Sequence, residues 1–319
     1  MSYVLAGLVA AAIGLPHALR LEAAPPGLAV VIWLGALALR ALTAVFCALS
    51  VVLYFPTTAL FSLISHWCWH TVVPFVTAHL HLSGHTLGDA TLVFPTFLLA
   101  ASLISVVVGL WRAARRVRAL LSKAVVGAGP LETLVVADEE MLVAAAGLRR
   151  PRVLISAGAL LAFDDEELAA SLDHEHGHIA RRHRYPLVMA EMCRALARFL
   201  PGTRTAAREV VFHLERDADR YAVGRHHDPA ALASAICKVA QGARPGAFTL
   251  ALGGGVVTRR VRLLLDGDDG RRTRRHAGLR SLAVAMVALV VVSAGILPSA
   301  AHAGYHAAGN VSVFHDCPS

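Results

Sequence analysis

Residues Asp164 to Arg182 read DDEELAASLDHEHGHIARR, and this stretch decides how the rest of the chain is interpreted. Asp164 stands three residues before Glu167, the spacing of a capping box, in which each side chain bonds to the other's backbone amide. Apolar residues then recur at roughly helical spacing, at Leu168, Ala169, Leu172, Ile179 and Ala180. The stretch therefore predicts a helix that runs from the Asp164 cap to about Arg182.

Inside this predicted helix, residues 174–178 read His-Glu-His-Gly-His, an H-E-x-x-H motif. Residues four apart on a helix differ by about 40° around its axis, so His174 and His178 project from one face. Two imidazoles at this spacing can share a zinc ion, with Glu175 beside the metal, where a carboxylate can take a proton from water. His176 points to another face, and we expect a polar surface role for it.

A catalytic zinc needs a third protein ligand and an open position. The segment LERDADRY lies on a later predicted helix and contains Glu215 and, four residues on, Asp219. We predict Glu215 as the third metal ligand and Asp219 as the acceptor of an N–H bond from His174 that fixes the imidazole tautomer. His213 and Asp217 are the alternatives for the third ligand.

The chain consists of apolar segments with few charges and one polar, basic block. Of its 319 residues, 56% are hydrophobic and 16% are charged, below the usual ~25% for soluble proteins. Between Arg112 and Arg280 lie 28 of the 30 Lys and Arg and 19 of the 22 Asp and Glu, a block of net charge +9. This pattern excludes a disordered, collagen-like or disulfide-stapled chain.

The apolar remainder has the length that membrane spans require, ~20 mostly apolar residues each. We predict four spans, at about residues 3–19, 27–55, 92–111 and 281–301, of which the first has the weakest pattern. Arg40 is the one charge of the second span. It either snorkels to the interface or faces the interior of the bundle.

Basic clusters at 112–118 and 271–280 flank the charged block, which the positive-inside rule places in the cytosol. The predicted domains are therefore an N-terminal membrane region 1–111, a cytosolic domain 112–280, a fourth span 281–301 and an outer tail 302–319. The N-terminus is also expected outside. Such clusters suit a cell membrane with anionic lipid. We therefore expect the basic clusters to interact with the lipid bilayer and not with nucleic acid.

The loop at 56–91 lacks Lys and Arg and is predicted to lie outside the cell. Its histidines and tryptophans either bind a metal or sense a signal, or they lie at headgroup level, the reading that we favour. Cys68 in this loop and Cys317 in the tail would share the outer side, where a disulfide between them is conceivable.

Within the charged block, the pattern predicts strands at Leu131–Ala137 and Pro151–Ser156, with a helix at Asp138–Gly147 between them. Further helices are predicted at Pro186–Leu200, Thr205–Val223, Pro229–Gln241 and Thr258–Leu265. The predicted fold is a multi-span α-helical membrane protein with an inserted α-rich α+β domain of the zincin type. The Pro151–Ser156 strand is interpreted as an edge that pairs with an extended substrate.

The order of three spans, an H-E-x-x-H domain and a fourth span resembles the BlaR/MecR-type antirepressor membrane metallopeptidases. The runs 147–156 (GLRRPRVLIS) and 166–178 (EELAASLDHEHGH) are similar to the core of that group. They are also similar to the HtpX and CAAX-prenyl-protease group, in which E-x-x-x-D follows H-E-x-x-H. The antibiotic sensors carry a large extracellular penicillin-binding domain after the fourth span. Only 18 residues follow here, so we do not expect β-lactam sensing.

The resemblance implies a zinc endopeptidase of the gluzincin type, with His174, His178 and Glu215 as ligands of Zn²⁺ and Glu175 as the base. The expected substrate is a cytosolic or membrane-associated protein, such as a transcriptional repressor, cleaved in regulatory proteolysis. Quality control of membrane proteins is the second interpretation. Two other classes of protein stay open. One is a signalling or scaffold protein whose structural zinc has a fourth ligand such as His213 or His183. The other is a zinc hydrolase that does not cleave peptides. The sequence leaves the oligomeric state open.

Overall fold

A computed structural model describes residues 2–19, 21–54, 125–129, 133–137, 141–146, 151–242, 249–267 and 273–309, with isolated positions between 100 and 115. The described residues are mostly helical, with one small sheet. In chain order the elements are α1 (Ser2–Ala18), α2 (Pro26–Tyr54), β1 (Val125–Ala128), β2 (Leu134–Val136), β3 (Val143–Ala146), β4 (Arg152–Ser156), α3 (Ala157–Ala162), α4 (Asp165–Ala180), α5 (Arg184–Leu196), α6 (Thr203–Val223), α7 (Pro229–Gly242), α8 (Thr249–Leu265) and α9 (Thr273–Gly309).

Two described helices are long and apolar enough to cross a membrane, at Pro26–Ser50 and Ala277–Ile296. They coincide with the second and fourth predicted spans. Helix α1 is apolar but shorter, at Val4–Ala18, and most of the third predicted span and the whole 56–91 loop lie outside the described residues. The count of four spans is therefore not confirmed. Cys68 and Cys317 also lie outside the described residues, so the disulfide stays a prediction.

The first half of α2 belongs to the core of the folded domain. Ile32, Trp33 and Leu37 are buried in one apolar cluster with Ala206 and Val210 of α6. Within the apolar 18-residue window of each candidate span, 56% is buried in Pro26–Ser50 and 11% in Ala277–Ile296 of α9. Hydropathy cannot separate these two environments, because a core helix is as apolar as a lipid-facing one. Helix α2 is therefore both a candidate membrane span and a part of the domain core.

Arg40 faces the interior, which was one of its two predicted placements. Its side chain is buried and donates to the carbonyls of Ile13 and Pro201 at 3.2 and 3.3 Å, and Nη2 lies 2.7 Å from Nε2 of His17. Gly202, with φ 77°, leaves room for it, since a Cβ there would come within 2.9 Å of the Arg40 guanidinium. Arg40 therefore joins α1 and α2 to the α5–α6 turn.

The sheet corrects two predictions. Its order is β1-β2-β4-β3, with β2 and β4 parallel and the other pairs antiparallel. The helix predicted at Asp138–Gly147 is wrong, because Val143–Ala146 is strand β3, paired along its length with β4. Alanine favours helices, but pairing with a strand overrides so weak a preference. The interpretation of Pro151–Ser156 as an edge strand is also wrong, because β4 lies between β2 and β3, and β3 is an edge of the described sheet.

The start of α4 confirms the predicted capping box. The Glu167 amide donates to Asp164 Oδ1 at 2.8 Å, and the Asp164 amide donates to Glu167 Oε2 at 3.0 Å. Predicted helices are also confirmed as α5, α6, α7 and the C-terminal half of α8, with bounds shifted by a few residues at the ends of α5 and α6. These helices place the histidines of α4 opposite the carboxylates of α6.

Helix α4 ends at Ala180, two residues before the predicted end, in a Schellman motif. Arg182 adopts a left-handed φ of 57°, its amide donates to Ile179 O at 3.1 Å, and the His183 amide donates to His178 O at 3.0 Å. This motif usually has glycine where Arg182 stands. The turn carries His183 back against the last turn of α4.

The left-handed backbone conformation of Arg182 leads to a prediction about the stability of the protein. Replacing Arg182 by glycine should raise the free energy of unfolding by about 1 kcal/mol, because glycine has no Cβ to penalise this conformation. Thermal unfolding of the full chain in detergent measures the change. Arg182→Ala, which keeps the Cβ, is the control and should leave stability nearly unchanged. An equal gain in both variants would show that the side chain, not the backbone, is the cause.

Candidate metal centre

Helices α4 and α6 approach closely at a glycine. A Cβ added to Gly177 would lie 3.0–3.2 Å from the Tyr221 side chain, so a larger residue would require Tyr221 or the helices to shift slightly. The contact lies one residue from His178 on α4 and places the two helices side by side. The site is thus built on two rigid elements rather than on loops.

The structure brings the three predicted ligands together. His174 Nε2 lies 3.2 Å from His178 Nε2, and the Glu215 carboxylate oxygens lie 3.5 Å from His174 Nε2 and 3.6 Å from His178 Nε2. Their ligand atoms all lie within 4.8 Å of one another, so the group could hold a metal ion. Two imidazole nitrogens and one carboxylate form a donor set that suits catalytic zinc and leaves a position open. The residues present therefore fit a zinc ion.

The structure places Asp219 next to His174. Its Oδ1 is 2.9 Å from His174 Nδ1, and both side chains are buried. A carboxylate at this position favours a proton on Nδ1, so that Nε2 is the nitrogen of His174 that is turned toward the group.

Arg260 of α8 completes the site, and sequence reasoning missed it. Its Nη1 lies 2.8 Å from Glu215 Oε2, while Nε and Nη2 donate to the two oxygens of Asp219 at 2.9 and 2.6 Å. The side chain is buried. The predicted helix Thr258–Leu265 contains Arg260, but Arg259 and Arg262 lie on it as well, so the sequence does not single out Arg260.

The alternative ligands lie elsewhere. His213 is fully buried beside Arg216, 3.1 Å from Nδ1 to Nη1, and Asp217 binds Arg181 and His183. Neither belongs to the group that could hold a metal. His176, predicted to serve a surface role, is one-third exposed, with Nδ1 3.7 Å from Asp173.

Glu175 lies beside the group and faces strand β3. Its Oε2 accepts a hydrogen bond from the Ala145 amide at 2.6 Å. Burial raises the pKa of Glu175 to about 7, although His174 and the Ala145 amide act in the opposite direction. A carboxylate with a pKa near neutrality suits a group that takes up and returns a proton.

The metal-free group has an uneven charge distribution. Burial lowers the pKa of His178 to about 3, so this imidazole is neutral. Burial also acts to lower the pKa of His174, but the carboxylates of Asp219 and Glu215 outweigh it and raise the pKa to about 9. Burial acts to raise the pKa of Glu215, yet Arg260 and His174 hold it well below its usual range. The cations of the site thus keep the Glu215 carboxylate ionised.

Comparison with known proteins supports the class of the site. Residues 111–213 match the family model of peptidase family M48, which points to a metalloprotease. The match includes the H-E-x-x-H residues and ends before Glu215. No curated protein and no solved structure matches the chain. Together, the match and the His-His-Glu group support a metalloprotease. They do not confirm the more specific resemblance to the BlaR/MecR-type metallopeptidases.

Proposed function

We propose that this protein is an integral-membrane, zinc-dependent endopeptidase of the gluzincin type that cleaves a cytosolic or membrane-associated protein. The observation that carries the proposal is the convergence of His174, His178 and Glu215 within 4.8 Å, in a chain whose residues 111–213 match peptidase family M48. Helices α2 and α9, both long enough to span a bilayer, support the membrane assignment.

In this proposal His174, His178 and Glu215 hold the metal, and the residues around them fix their protonation. Zinc bound there would supply a Lewis acid that lowers the pKa of water. Asp219 holds the proton of His174 on Nδ1, and Arg260 keeps both carboxylates ionised through its contacts of 2.6–2.9 Å. In the metal-free protein, neutral His178 and ionised Glu215 already have the protonation state that metal binding needs, whereas His174 loses the proton on Nε2 when the metal binds.

Glu175 acts as the base in this proposal. It takes a proton from the attacking water and returns it to the nitrogen of the leaving amine, so the carboxylate ends as it began. Glu175 is outside the ligand group and half-buried beside it, which gives it access to the reacting atoms without a role in holding the metal.

Strand β3 is the proposed place for the substrate backbone. It is an edge of the described sheet, and its Ala145 amide points away from β4 toward Glu175. An extended peptide that adds to this edge would pair through its main chain and lie next to Glu175. This assigns to β3 the role that the sequence suggested for β4.

The cellular setting is also a proposal. The basic clusters on either side of the 112–280 block favour a domain in the cytosol, with the N-terminus and the tail outside. A substrate such as a transcriptional repressor, cleaved in regulatory signalling, follows from the resemblance alone. A structural zinc in a scaffold protein has less support, because the group that could hold a metal among the described residues offers three protein ligands, not four.

The proposal is tested by comparing the proteomes of cells that carry the native protein and cells that carry Glu175→Gln. A protein that acquires a new terminus only with the native chain is the expected substrate. Its identity would separate regulatory cleavage of one target from quality control of many membrane proteins. Identical termini in both cell types, under every condition that induces the protein, would contradict an endopeptidase function.

A further inference from the structure

His183 and Asp217 form a chain of contacts on the far side of His178. Nδ1 of His183 lies 2.9 Å from Nδ1 of His178, and Nε2 of His183 lies 3.1 Å from Asp217 Oδ2. The other ring nitrogen of His178, Nε2, faces His174 and Glu215. These contacts therefore begin at Nδ1 of His178, the ring nitrogen that is turned away from the candidate metal group.

The positions of the protons in this chain follow from the donors and acceptors. Nε2 of His178 must carry a lone pair to bind a metal, so the neutral ring holds its proton on Nδ1. That N–H can donate only to a bare nitrogen, so Nδ1 of His183 is the acceptor. His183 then carries its own proton on Nε2 and donates it to Asp217. Every contact in the chain has one donor and one acceptor under this assignment.

The backbone holds His183 in place independently of its ring. Its amide donates to the His178 carbonyl at 3.0 Å in the Schellman motif that closes α4, and its side chain is buried. Asp217 is held in turn by Arg181, which donates to both carboxylate oxygens at 2.9 and 3.1 Å. Residues from the end of α4 and from α6 therefore fix the geometry of the chain.

We infer that His183 is a positioning residue for His178, and that Asp217 acts one step behind it by fixing the tautomer of His183. The inference rests on the proposed function only in taking His178 as a metal ligand. The two histidines of the motif are thus supported differently, His174 by a carboxylate directly and His178 by a carboxylate through an imidazole. His183 is for this reason neither a fourth ligand nor a surface histidine.

The test measures zinc affinity rather than turnover. His183→Leu removes the acceptor, and His183→Asn keeps an acceptor oxygen close to the position of Nδ1. The dissociation constant of zinc is measured on the full chain in detergent by competition with a chromophoric chelator. The visible spectrum of the cobalt-substituted protein reports the ligand geometry. His227→Leu is the matched control, because His227 also contacts carboxylates, those of Glu166 and Asp173, but contacts no proposed ligand in these pairs.

We expect His183→Leu to weaken zinc binding about 10- to 100-fold, as losses of such supporting partners do. His183→Asn should bind more tightly than His183→Leu, and His227→Leu should bind like the native chain. Asp217→Ala, which leaves His183 in place, should also weaken zinc binding and covers the case that His183→Leu does not fold. Native affinity in His183→Leu and in Asp217→Ala, or an equal loss in His183→Asn and His183→Leu, would overturn the inference. A chain that binds zinc in this way but cleaves nothing would contradict the proposed function and leave the inference standing.

Discussion

Glu175→Gln should lower peptide turnover by a factor of about 10² to 10⁴, the range that a positioned general base contributes, while zinc stays bound. Glutamine has nearly the same shape as glutamate, so packing around position 175 is preserved. Its amide cannot accept the proton that the carboxylate takes from water. Because Glu175 is outside the His174, His178 and Glu215 group, the metal affinity should be unchanged.

The measurement compares kcat and the zinc content of the purified full chain, using the substrate that the proteome comparison identifies. Glu166→Gln is the matched control, since Glu166 lies on the same helix and contacts the exposed side of the domain at His227 and Asp228. That variant should cleave at the native rate. Native turnover in Glu175→Gln would show that Glu175 is not the general base. Loss of zinc would show that Glu175 holds the metal.

The parts of the site that the sequence predicted all depend on spacing within one helix. His174 and His178 share a face because they are four residues apart, and the same holds for Glu215 and Asp219 on α6. The capping box that starts α4 is equally local. Helical geometry converts such spacing into positions in space without knowledge of the rest of the fold.

The parts that sequence reasoning missed depend on contacts between distant segments. Arg260 meets Asp219 across 41 residues, and nothing in the pattern of α8 shows which of its arginines turns inward. Three of the four residues of β3 are alanines, which favour a helix by themselves, and the segment is a strand because it pairs with β4. Hydropathy also described α2 as a span throughout, although its first half packs against α6 in the domain core.

Arg260→Gln should cost about 3–5 kcal/mol of stability in the metal-free protein, the range for breaking a buried ion pair. Arg260 is 7% exposed and is the described cation that bridges Glu215 and Asp219. Without Arg260, the buried Asp219 carboxylate and the half-buried Glu215 carboxylate lose the cation that both of them contact. A second expectation follows from the charge. Zinc bound at Glu215 would supply positive charge in the same place, so the loss should be smaller in the zinc-loaded protein.

Thermal unfolding of the full chain, with zinc and after chelation, measures both effects. Arg262→Gln is the control two residues away on the same helix, because the Arg262–Asp266 pair is exposed, at 79% and 63% for the two side chains. Exposed pairs of this kind contribute at most about 1 kcal/mol, so its melting temperature should barely change in either state. A loss in Arg260→Gln no larger than in Arg262→Gln would contradict the bridging role. A loss that is the same with and without zinc would show instead that Arg260 acts on the fold and not on the charge of the metal site.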